Sequence, residues 1–172
     1  TMKPLSINPL KLILPLLVMG INSTLSAESH SGAKDPDKPT MLVVVADSLV
    51  SHRAYHDDLD MYIRIKANFG KVFEKQGWPM NFDFERWSAS VPDGGLQLRI
   101  WFKSLEEETI GDLVFRAWVT LLDDGQKTDF KIIKVRTYPR PGRAVYENID
   151  EILSLAAEEV AKKLDEHLFD KS

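Results

Sequence analysis

The sequence predicts a two-layer α+β domain: a mainly antiparallel sheet, element order β-α-β-β-β-β-α, with two helices packed on one face. Three observations carry this expectation. The run "MLVVVAD" at 41–47 is short and rich in β-branched residues. Two longer segments repeat their apolar residues every three or four positions. Four further runs alternate apolar and polar residues, with Asp-Gly turns among the breaks between them.

In chain order, residues 1–27 read as a signal peptide. Lys3 and Lys11 precede an apolar run from Leu12 to Ile21, and "NSTLSA" then leads to a small-residue cleavage position at Ala27, which Ser26 fits nearly as well. The run falls short of the roughly 20 residues that span a bilayer and contains Pro15, so no transmembrane helix is expected after cleavage. From Glu28 onward the chain keeps all 26 acids and loses two of its 22 bases, a formal charge of −6. That balance disfavours nucleic acid as a partner for the whole surface. The chain has no cysteine, so disulfides, thiolate metal ligands and a cysteine-linked lipid anchor are excluded and the core alone must hold the fold. The expected location is the periplasm or the secreted fraction.

Residues 28–39, "ESHSGAKDPDKP", are polar, carry prolines and lack apolar periodicity, and are expected to form a flexible leader to a single domain over 40–172. The β-branched run at 41–47 calls for a strand covered on both sides. Between Asp57 and Gln76, Leu59, Tyr62, Ile63, Phe69, Val72 and Phe73 mark one helical stripe, stopped by Gly77 with Pro79 beyond. Strand patterns follow at 81–89, 96–105, 112–122 and 128–138. With "PDGG" at 92–95 and "DDGQ" at 123–126 as turns, they predict a four-strand antiparallel meander. Adjacent isoleucines in "FKIIKVR" suggest a bulge in the last strand. Asn148 and Glu151 form a capping pair for a final helix whose stripe runs from Ile149 to Leu168.

Period-two alternation sorts the meander into two faces. Phe82, Phe84, Leu96, Leu98, Ile100, Phe102, Leu113, Phe115, Val119 and Leu121 make an apolar face for the helices to cover. The other face collects Trp87, Arg99, Trp101, Arg116 and Trp118, along with Asp83, Glu85, Lys103 and Thr120. Trp and Arg are enriched at interaction hot spots, so this face is the leading candidate for binding a protein or an anionic envelope polymer. Three other readings stand beside it: Trp and Arg pairing only with each other, a glycan or lipid ligand, and a homodimer through the Trp face.

Arg136, Arg140 and Arg143 lie in a segment, Lys131–Arg143, with five bases and no acid, suited to an anionic partner or to guarding an edge strand. His52 and His56, four residues apart beside Asp57, Asp58 and Asp60, would share a helical face and could take a transition metal, but no third ligand is identifiable. No nucleophile elbow, phosphate-cradling glycine loop or opposed carboxylate pair is present. The expectation is a non-catalytic binding or adaptor domain without a cofactor. A metal-binding protein or metal-dependent enzyme using His52 and His56 is the alternative.

Overall fold

Strand β1, Thr40–Ala46, occupies the middle of the sheet, and its sequence suits that place. Met41, Val43 and Val45 on one side are 0% exposed, while Val44 and Ala46 on the other are 1% and 4% exposed. A strand apolar on both sides is stable only when both are covered. The structure, a computed structural model, describes residues 34–46, 61–88, 91, 94–108 and 111–169. After β1 come α1 (Met61–Lys75), β2 (Asn81–Arg86), β3 (Gln97–Glu106), β4 (Leu113–Asp123), β5 (Gln126–Thr137) and α2 (Val145–Leu164), with a π-helical turn over Asp165–Phe169.

The sheet order is β2-β1-β3-β4-β5. β1 pairs in parallel with β2 and β3, whereas β3, β4 and β5 form an antiparallel meander, so the sheet is mixed though mainly antiparallel. This corrects the expected four-strand meander. "PDGG" does not close a hairpin between β2 and β3, because β1 lies between them. The physical reason is β1 itself: flanked by β2 and β3, its outer residues Val44 and Ala46 are covered by side chains from both neighbours, a cover that an edge strand receives from one side only.

This order fixes the path of the chain across the two faces. Helix α1 carries the crossover from β1 to β2 over the inner face, where its buried side chains join the core. On the outer face Val44 and Ala46 are buried between the side chains of β2 and β3, with the Trp87 and Trp101 rings meeting across Ala46. Two bonds tie the end of the β2–β3 connection down: Leu42 N–H donates to Leu96 O at 3.0 Å, and Gln97 Nε2 donates to Gly94 O at 2.7 Å.

The expected inner face is present. Leu98, Ile100, Phe102, Leu113, Phe115, Val119 and Leu121 are buried, with Phe82, Phe84 and Leu96 packed against them. At about 1.5–3 kcal/mol per fully buried large apolar side chain, this layer supplies most of the drive to fold. The α1 stripe is Met61, Ile65, Asn68, Phe69, Val72 and Phe73. Ile63, expected in it, is 59% exposed, because it lies about 200° around the helix from Met61. Gly77, at φ 68°, ends α1 in the left-handed conformation that suits glycine, and the chain turns so that Trp78 enters the core.

α2 begins three residues before Asn148. Its N-cap is Ala144, whose N–H donates to Glu147 Oε2 at 3.3 Å, so the Asn148–Glu151 pair is not the cap. Asn148 is instead buried in the first turn and accepts a bond from Arg140 N–H at 3.3 Å. Beyond α2 the π turn places Asp165 Oδ1 2.5 Å from Trp78 Nε1 and stacks Phe169 on the Trp78 ring with centroids 5.8 Å apart. The β4–β5 hairpin closes through Asp124 and Gly125, at φ 44° and 85°, as a two-residue turn with positive φ at both positions requires.

Candidate interaction face

Three strands and the residue that follows β2 contribute large apolar side chains to one row across the outer face. The β1–β2 register sets Trp87 beside Ala46, which pairs with Trp101 on β3. Trp101 pairs with Trp118 on β4, and Trp118 with Ile132 on β5. The small Ala46 side chain lets the rings of Trp87 and Trp101 meet with centroids 5.6 Å apart, inclined by 48°. Trp101 is half-buried, whereas Trp87, Trp118 and Ile132 are 42%, 38% and 53% exposed. Ile132 was missed at the sequence level because its phase depends on the bulge in β5, where the register shifts between Trp118 and Thr120 and Lys131 takes φ 62°.

A second bulge lies in β3, between Phe102 and Ser104. It removes Lys103 from the regular alternation and brings Ser104 and Glu106 onto the outer face beside Arg116 and Val114. The result is an ionic lattice at one end of the row. Arg116 pairs with Glu106 and Glu108. Lys134 reaches Glu108 at 3.1 Å, and Arg136 reaches Glu108 at 2.5 Å and Asp112 at 3.3 Å. Asp112 is 1% exposed and also accepts the Glu108 N–H at 3.1 Å. Three bases thus meet three acids above Val114, which is fully buried. On the other flank Arg99 donates to Gln97 Oε1 at 3.1 Å.

Trp87, Arg99, Trp101, Arg116, Trp118 and Arg136 therefore share the outer face. Arg140 and Arg143 do not: both pair with Glu151 of α2, at 3.2 Å and 2.5 Å, in the helical layer. The carboxylates that hold these guanidinium groups were visible in sequence only as an exposed Glu106–Glu108 run and a helical Glu151. Nothing in their spacing foretold the pairing, which the β3 bulge and the fold of the 138–144 segment create. The Lys131–Arg143 segment is consequently anchored to acids along most of its length.

An open groove of about 550 Å³ runs along α2 beside Asn68, Arg143, Asp150 and Ser154. Its polar groups are engaged between the helices: Asn68 Nδ2 and Arg64 Nη1 donate to Asp150 Oδ1 at 3.0 Å and 2.9 Å, and Ser154 Oγ donates to Asn68 Oδ1 at 3.0 Å. His52 and His56 lie outside the described residues. Among the described residues no three metal-ligating side chains cluster, and no helix is long and apolar enough to cross a membrane.

Fold and face together define an α+β domain with an aromatic row on the sheet surface away from its helices. Among solved structures the chain is similar to a hypothetical protein from Chlamydia trachomatis, with TM-score 0.52 and 8% identity, covering 78% of this chain and 99% of that one. It is also similar to rare lipoprotein B from Shewanella oneidensis, with TM-score 0.39 and 13% identity over 73% of this chain and 94% of that one. A third likeness is to a PelC dodecamer from Paraburkholderia phytofirmans, with TM-score 0.42 and 10% identity over 69% and 85%. The first shows the fold alone, and the other two are too loose to carry an argument. No protein-family model matches the chain, and no curated protein matches it in sequence.

Proposed function

We propose that this chain is a non-catalytic exported domain that binds a protein partner through the outer sheet face. The observation that carries the reading is the Trp87–Trp101–Trp118–Ile132 row, apolar and partly exposed at three of its four positions, on the face opposite the helices. Exposed aromatic area framed by polar groups is the composition of an interface centre with its rim. An anionic polymer is the weaker choice of partner, because it would have to displace Glu108, Asp112 or Glu151 from the arginines it sought. A row of sugar rings is weaker too, since the 48° inclination of Trp87 to Trp101 gives no common platform.

The test is retention of envelope proteins on the immobilised protein. Trp118→Ala should weaken any specific capture by about ten-fold or more, the usual cost of truncating a hot-spot aromatic. Leu155→Gln, on the exposed side of α2, should leave it unchanged. Capture that is indifferent to Trp118 and Trp101 substitutions would overturn the reading.

A further inference from the structure

We infer that the partner of the outer face is a second copy of this chain, packed face to face about a two-fold axis. The inference rests on the reading of that face as a binding surface and adds its occupant. Three features favour the same chain over a different protein. The first is charge: Arg116, Lys134 and Arg136 are balanced by Glu106, Glu108 and Asp112, so two such faces approach without net repulsion and offer no field to select an oppositely charged partner.

The second is size. Five strands about 4.8 Å apart and a β3 of ten residues at about 3.3 Å each give a face of at most roughly 24 by 33 Å, about 800 Å². A contact of standard size, roughly 800 Å² from each partner, would therefore engage the whole face, as a two-fold packing of equal sheets does.

The third is register: the row lies at one level across the strands. A two-fold axis parallel to the strands and passing over β3 exchanges the two halves. It sets β1 of each copy over β4 of the other, faces Trp101 with its own equivalent, and places Trp87 of each copy opposite Ile132 of the other. The whole row then meets itself at one level, which is what an isologous contact requires.

Light scattering of the purified protein across a wide concentration range tests this. The expected result is twice the chain mass at high concentration. Trp118→Arg and Ile132→Asp should each give a monomer throughout that still unfolds cooperatively, with a melting temperature that no longer rises with protein concentration, and Leu155→Gln should remain dimeric. The two-fold makes a sharper demand: combining Trp87→Lys with Ile132→Asp in one chain juxtaposes opposite charges twice and should restore the dimer that either substitution alone abolishes. A monomer at every concentration overturns the inference; if capture of an envelope protein still depends on Trp118, the binding reading survives it, and if not, both fall. A dimer insensitive to these substitutions also overturns it.

Discussion

Lys131 sits at φ 62°, a left-handed conformation that costs an L-residue about 1–2 kcal/mol and glycine little. Its N–H donates to Asp129 Oδ1 at 2.8 Å, which keeps the bulge in place and sets the phase of Ile132. Lys131→Gly should therefore stabilise the protein by up to about 1 kcal/mol, the relief of strain less the added freedom of the unfolded chain. The denaturant midpoint reads this, and a fall instead would mean that the lysine side chain contributes more than its backbone costs. Asp112 makes the opposite case. Its buried carboxylate accepts from the Glu108 N–H and from Arg136, so Asp112→Ala should destabilise by about 1–3 kcal/mol through the groups it leaves unpaired. A loss below about 0.5 kcal/mol, the range of ordinary surface substitutions, would show that water replaces it freely. The ion pairs of Arg140 and Arg143 with Glu151 are more exposed and should each be worth at most about 1 kcal/mol.

Among the elements, β1 decides the topology, and its sequence already demanded cover on both sides. That demand did not by itself place the strand in the sheet, and the Asp-Gly signal at 93–94 pointed instead to a hairpin between β2 and β3. Local turn chemistry cannot report that another strand inserts between its neighbours. Most of the inner face was legible, because period-two alternation survives any change in strand order, but buried Ala117 and Ile133 were not among the expected residues. Phase was lost only where bulges intervene, at Lys103 and at Lys131, and there the ionic lattice and Ile132 escaped notice. Trp78 and its bond to Asp165 were also invisible, since they join residues 87 apart in sequence. Val44→Asp tests the placement of β1. A charge at this buried outer-face position should cost more than about 3 kcal/mol or prevent folding, whereas Ile132→Asp, at an exposed position of the same face, should cost under about 1 kcal/mol. Equal tolerance of the two would contradict a covered outer side of β1.

At the scale of the whole molecule, the helices cover the inner face and leave the aromatic row exposed on the outer face of the described fold. The sequence singled out Trp87, Trp101 and Trp118 but could not reveal that they lie at one level across the sheet, which only the register shows. The central claim is that this row is a contact surface, and the four tryptophans allow a direct measurement of it. Trp78 is 8% exposed in the core, while Trp87 and Trp118 are 42% and 38% exposed on the outer face, so rates of oxidative labelling at each ring report cover separately. Trp87 and Trp118 should label readily in dilute protein and become severalfold slower at high concentration or with envelope extract, while Trp78 stays slow throughout. Unchanged labelling of Trp87 and Trp118 under all these conditions would contradict the claim.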